Sequence, residues 1–173
     1  GRRGATRMKQ LKLGNWVIPE VPGISYPAGT TFSREIAGKT YNTVILPDGK
    51  EWVAEYLQDE IPGGQWYAND PGKAYLGRWY PRSIAETLSY PNGWHVPTKA
   101  EWDNLKVVTG STSYGYPLFA KTGWLPGSSV AVNALDTYGF SMGPTGYNAT
   151  SLEEHYAQIW YGLTEPDYVY QCE

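Results

Sequence analysis

An α+β fold is predicted, built from short twisted antiparallel strands, two helices and long aromatic-rich loops. Three observations carry that prediction. A strand–turn–strand pattern with Pro-Asp-Gly at its centre reads as a hairpin, the stretch from Thr98 to Gly110 bears helix start and stop signals, and the rest is dense in Gly, Pro and aromatic residues. The chain has 173 residues, 41% hydrophobic and 18% charged, with Trp 8 and Tyr 15 against Phe 3. That balance suits one domain, or one domain with an arm, and excludes a disordered polyelectrolyte and a membrane-spanning chain.

Residues 1–33 read as an N-terminal arm or linker, first basic and then Pro/Gly-rich, ahead of a head domain over 34–173. Arg2, Arg3, Arg7, Lys9 and Lys12 precede the first acid, Glu20, and Pro19, Pro22 and Pro27 alternate with glycines. Trp16, Val17 and Ile18 form an apolar island that packs on its own domain or on another subunit. Thr40 to Leu46 is β-branched and aromatic, Pro47-Asp48-Gly49 is turn chemistry, and Glu51 to Leu57 alternates, so a hairpin spans 40–57. Residues 61–80 form a long loop rich in rings. Ser83 to Leu88 is a short helix bounded by Pro81 and Pro91. The second helix starts at Thr98, where Glu101 completes a capping box, and stops at Gly110. Short strands and loops fill the remainder.

Several functional patterns fail on context. Gly139-Phe140-Ser141-Met142-Gly143 matches G-x-S-x-G, yet Pro144 and Gly146 stand where a nucleophile elbow needs a helix, and no Asp falls between Ser141 and His155; a serine in a buried strand is the better account. His95 and His155 share no metal spacing and read as structural or surface residues. The single Cys172 excludes an intramolecular disulfide framework and a cysteine zinc site. No catalytic residue is assigned. Glu165-Pro166-Asp167 resembles the tripeptide with which animal calcium-dependent lectins hold a cation and a sugar diol, and the alternative is a solvated acidic turn. No cofactor is expected, calcium at Glu165 and Asp167 being the one exception weighed. Nothing basic follows Lys121 while six acids do, which excludes a nucleic-acid face on the main domain. Asn148-Ala149-Thr150 is a sequon that has meaning only in a eukaryotic secretory setting. The chain opens with Gly1 and shows no secretory leader, and is expected to be a fragment or a processed product.

The segments GKTYNTVILPDGKEWVAEYL (38–57), LGRWYPRSIAETLSYPNGWHVPTKAEWDNL (76–105), GW (123–124), YGFSMGPTGY (138–147) and QIWYG (158–162) together resemble the Fibrobacter succinogenes major paralogous domain. The GWHVPTKAEWDNL block is the most specific part. Tyr90-Pro91-Asn92 replaces a region where that family often carries a cysteine, and Trp160-Tyr161-Gly162 departs from its final segment. The resemblance implies a C-type-lectin-like fold, shared with retroelement-diversified phage tropism determinants and, more distantly, with formylglycine-generating enzymes. It implies that Trp94 or Trp102 packs beneath the helices and that loops near the C-terminus form a ligand surface. It also implies an extracellular, cell-surface or virion setting, on bacteria of the gut and rumen or on their phages. The expected function is a non-enzymatic adhesin or receptor-binding module for a glycan or protein, with Trp66, Tyr67, Tyr147, Tyr156, Tyr161 and Tyr168 offering rings to the ligand and Trp160 weighed as core. The alternative is a structural virion or surface-assembly protein that makes subunit contacts through its arm, as a homo-oligomer or against other virion subunits.

Overall fold

The computed structural model describes residues 8–15, 26–124 and 126–143, and the backbone of two strands at 156–159 and 167–171. The fold is α+β. Its centre is a five-stranded antiparallel sheet of β2 (Gly14–Asn15), β3 (Thr31–Ile36), β4 (Lys39–Ile45), β5 (Glu51–Val53) and β7 (Trp94–His95), in the order β3-β4-β5-β2-β7. β1 (Met8–Lys9) pairs with β6 (Tyr80–Pro81), and β8 (Tyr156–Ile159) with β9 (Asp167–Gln171).

The expected hairpin is present. β4 and β5 pair with Val44 opposite Trp52, and Gly49, at φ 79°, closes the turn by donating to the Leu46 carbonyl at 2.9 Å. Asp48 locks that turn, accepting from the Lys50 N–H at 2.9 Å and from the Trp52 indole at 2.9 Å, and burial pushes its carboxyl up. β5 ends at Val53, earlier than Leu57, because the chain bends at 54–55; pairing resumes where the Leu57 N–H donates to the Leu11 carbonyl at 2.7 Å.

Residues 8–15 correct the arm expected over 1–33. Their strand β2 is inserted between β5 and β7, with Gly14 opposite both Trp52 and His95. Gln10, Leu11 and Lys12 are 0% exposed and Leu13 is 1% exposed. The stretch runs along 53–57 and enters the sheet at β2 between the two cores, so even its polar residues are interior. Thr31, Phe32 and Ser33 also lie in β3, ahead of the expected boundary, and Ala37-Gly38 turns β3 into β4 as a two-residue hairpin with both φ positive.

α1 (Arg82–Ala85) is a single turn. α2 (Lys99–Val108) carries the capping box foreseen at Thr98 and Glu101. It ends as a Schellman motif, in which the Ser111 N–H reaches the Lys106 carbonyl at 2.7 Å and Gly110, at φ 70°, donates to the Val107 carbonyl at 3.2 Å. A third helix, α3 (Ser129–Asn133), exceeds the two expected; Ser128 caps it by accepting from the Ala131 N–H. No helix among the described residues is long and apolar enough to cross a membrane.

Two cores sandwich the sheet. One joins Val44, Leu46, Trp52 and Tyr56 to Trp102 and Leu105 of α2 and to Leu118, Phe119, Phe140 and Met142. The other joins Leu11, Leu13, Ile36, Tyr41, Val53 and Leu57 to Tyr80, Ala85 and Trp94. The first core leaves part of its sheet face uncovered, at the ends of β3 and β4 next to the segment 136–143.

Candidate functional site: a polar cleft over the uncovered sheet face

Side chains alternate across a strand, so Thr31 and Ser33 of β3 and Asn42 of β4 share the face of the first core, with Ser33 directly opposite Asn42. The residues between them turn to the other face and are tied down there. Arg34 forms a two-pronged pair with the buried Glu51, at 2.7 and 2.9 Å, and the Thr43 hydroxyl donates to the same carboxylate at 2.5 Å. The Arg34 guanidinium also lies 4.5 Å from the Phe32 ring centre, and Tyr26 meets that ring edge-on at 5.1 Å. The floor strands are therefore tied together from behind, with the Glu51 carboxylate as the shared acceptor.

One wall follows from the bend after β5. Where the ladder stops, the Ala54 N–H still donates to the Asn42 carbonyl at 2.9 Å, and the Glu55 carboxylate accepts from the Asn42 N–H at 2.6 Å. The carboxylate thus stands in for a missing strand partner and is held at the cleft edge. The opposite wall is the segment 136–143. Asp136, Gly139 and Ser141 all have positive φ, at 42°, 80° and 56°. Asp136 offsets that backbone cost by accepting from the Ser141 N–H at 2.8 Å and from the Ser141 hydroxyl at 2.7 Å. Phe140 and Met142, both 0% exposed, pin the segment into the first core, and the Tyr56 hydroxyl donates to the Gly143 carbonyl at 2.8 Å.

Between floor and walls lies a cleft of about 590 Å³ lined by Thr31, Phe32, Ser33, Asn42, Thr43, Ala54, Glu55, Gly139 and Ser141. Its chemistry is that of hydroxyls, an amide and a carboxylate: acceptors and donors for a ligand rich in hydroxyl or amide groups. Beneath it sits Lys12, whose Nζ donates to the Ala54 carbonyl at 2.5 Å and the Phe140 carbonyl at 2.8 Å and lies 4.5 to 4.8 Å from the ring centres of Phe140 and Tyr56. Burial pulls its amine down to about 7, against the upward pull of Asp136 and Glu55.

Ser141 is exposed, which corrects the expectation of a buried strand serine; its neighbours Phe140 and Met142 are the buried residues. The G-x-S-x-G pattern does not build an elbow, because the serine hydroxyl donates to a carboxylate and Met142 pairs with Phe119 in a strand-like bridge instead of opening a helix. His95 joins β7 to α2: its Nδ1 is 2.8 Å from the Gly93 carbonyl and its Nε2 3.0 Å from both Glu101 oxygens.

The ring residues expected to meet ligand fare differently. Trp66 is 8% exposed, with the Arg78 guanidinium 4.8 Å from its ring centre, so that ring is covered and not presented. Tyr67 is half-buried and tilted against Trp79 at 6.0 Å. Neither lines the cleft. Tyr156, Tyr168 and Asp167 fall on the β8–β9 pair, where the backbone alone is described, and Tyr147, Trp160, Tyr161, Glu165, His155 and the island Trp16–Ile18 lie outside the described residues. Among the described residues no group of three or more His, Cys, Asp or Glu side chains could hold a metal ion. Sequence reasoning missed Asn42, Glu55, Asp136 and Lys12. The available signal was Lys12 between Leu11 and Leu13, a strand alternation that its own charge disguised as a tail.

No family model, curated protein or solved structure matches the chain.

Proposed function

We propose that this chain is a non-enzymatic, surface-displayed ligand-binding module, an adhesin or receptor-binding head that recognises a glycan or protein on a cell surface, as a virion fibre or decoration protein does. The observation that carries the reading is the cleft: a rigid floor, two backbone-anchored walls, and hydroxyl, amide and carboxylate groups turned to solvent. Such a set accepts from and donates to sugar hydroxyls and peptide groups alike. The C-type-lectin-like and Fibrobacter-type reading is part of the proposal. It draws support from the twisted antiparallel sheet, from the interior placement of Trp94 and Trp102, and from the use of the GWHVPTKAEW block to fasten β7 to α2 through His95 and Glu101.

The test is a printed oligosaccharide array with whole-cell binding, run with and without calcium on the unaltered chain, Glu55→Gln and Ser141→Ala. Loss of one polar contact at the cleft weakens binding roughly tenfold, while loss of the bond each side chain makes within the fold lowers stability by only about 1 kcal/mol, so both variants stay folded. Binding that is indifferent to both changes moves the ligand face elsewhere, with the tyrosines of β8 and β9 next to be substituted.

One observation favours the second reading, a structural virion or surface-assembly protein. Val132 and Leu135 are 71% and 54% exposed beside Tyr114, which is 61% exposed and stacked on Tyr116 at 5.3 Å, while the Tyr116 carbonyl accepts from the Leu135 N–H. A stable multimer on light scattering, with no binding to any printed sugar or cell, selects it.

A further inference from the structure

Lys12 is unlike the other described lysines. Its whole side chain is interior, on the face of the sheet that carries the cleft, because the stretch leading into β2 runs along 53–57 and Leu11 and Leu13 face the other core. The two carbonyls its Nζ meets are not arbitrary. The Ala54 carbonyl belongs to the peptide group whose nitrogen is that of Glu55, and the Phe140 carbonyl to the peptide group whose nitrogen is that of Ser141. Glu55 and Ser141 are the two polar walls of the cleft.

We propose that Lys12 is a positioning residue for the cleft: its buried Nζ is the strut that fixes the Glu55 wall and the Ser141 wall relative to each other. The second peptide group is gripped at both ends, since its carbonyl accepts from Lys12 while its N–H donates to Asp136. A peptide polarised in this way couples the amine to the carboxylate, and each bond strengthens the other. The charged and titratable groups around Nζ among the described residues are Glu55 on the strand side, Asp136 on the loop side and the Tyr56 phenol, whose own ionisation burial pushes up out of reach. Both carboxylates favour the ammonium, the ring faces of Tyr56 and Phe140 accept its charge, and burial opposes it, so the strut changes charge at about 7. Loss of the proton turns two charge-assisted bonds into neutral ones of about half the strength. The grip on both walls therefore slackens together.

The proposal rests on the cleft being the ligand site only for its effect on binding, and the test separates the two. In the unaltered chain, the backbone amide resonances of Glu55 and Ser141 are followed by NMR across neutral pH. The expected result is that both shift together with one midpoint near 7. Lys12→Met keeps the apolar stem and removes the donor; it should abolish that joint step and speed hydrogen exchange at the Ser141 amide roughly tenfold. If Lys12→Met does not fold, Lys12→Arg, which keeps the cation at every accessible pH, must abolish the step in its place. A step that persists in the folded variant belongs to another group and overturns the proposal, as does separate titration of the two amides. On the oligosaccharide array, undiminished binding by folded Lys12→Met overturns the strut's effect on binding while leaving the binding reading intact. An unaltered chain that binds no printed sugar and no cell yet shows the joint step removes the binding reading and leaves the strut.

Discussion

The two faces of the five-stranded sheet bury polar atoms by opposite means. On the face of the first core, indole and phenyl rings meet edge to face: Trp52 lies 5.6 Å from Phe140 and 6.3 Å from Trp102. Among the described residues the one fully buried charged side chain on that face is Lys12, whose amine is carried past the rings to backbone carbonyls. On the other face the rings are largely tyrosines, and each hydroxyl reaches a short loop. Tyr80 donates to the Asp59 carbonyl at 2.5 Å, Tyr90 to the Asp59 carboxylate at 2.8 Å, and Tyr41 accepts from the Gln58 N–H at 3.0 Å. The tyrosine hydroxyls thus find their partners within 58–59, while Arg34, Thr43 and the buried Glu51 satisfy one another within β3, β4 and β5. The tryptophan face leaves its amine spanning two distant segments, and that is the face on which the cleft opens. Difference in partner, local loop against distant wall, is what makes one face a scaffold and the other a site.

The sharpest way to break the comparison is Trp102→Ala. Trp102 is 0% exposed and packs on both Trp52 and Phe140, so its removal leaves a large cavity and costs about 3–5 kcal/mol in urea unfolding. It should also loosen the 136–143 wall through Phe140, which amide exchange would show.

The pH dependence of stability separates the faces without deleting a ring. For Lys12 the folded amine titrates at about 7 against an ordinary 10.5, so between those values the unfolded chain binds the extra proton and stability rises with pH, by an amount on the order of a few kcal/mol. For Tyr41 burial raises the phenol from 10.0 to about 12, and Tyr80 and Tyr90 are raised further. There the unfolded chain loses its proton first, so stability falls as pH climbs above 10.0. Urea midpoints at a series of pH values should therefore rise above neutrality and fall in strong alkali. Lys12→Met should flatten the rising limb alone, and a profile that keeps it would assign the rise to another group.

The mildest probe is Tyr90→Phe, which removes one half-buried hydroxyl from the Asp59 carboxylate and should cost about 1–2 kcal/mol. Its expected effect on the cleft is nil, since every group it touches lies on the tyrosine face. A change in the Glu55 or Ser141 amide resonances would show that the faces are coupled through the sheet.

Local chemistry was written in the chain. Pro47-Asp48-Gly49 sets a turn by φ alone, and the Thr98 to Glu101 box starts α2 by satisfying its own first N–H groups, so both were legible before any tertiary contact. Residues 8–15 were not. Leu11 and Leu13 alternate with Gln10 and Lys12 as an edge strand or a tail would, and only their docking along 53–57, just ahead of the β2 insertion between β5 and β7, makes all of them interior. Trp66 shows the same limit in reverse, since a ring among glycines gave no sign that Arg78 and its neighbours cover it.

By itself, then, the sequence determined an α+β chain, its central hairpin, its capped helix and the wealth of rings that fills both cores. The tertiary structure decided which strand is central, which rings are covered and where polar groups converge. The cleft joins β3 and β4 to a segment 136–143 that lies far along the chain, and the amine beneath it comes from residue 12. Periodicity and capping report neighbours a few residues apart, whereas this site is made of contacts across more than a hundred, such as the separation of 128 between Lys12 and Phe140, which only packing brings together.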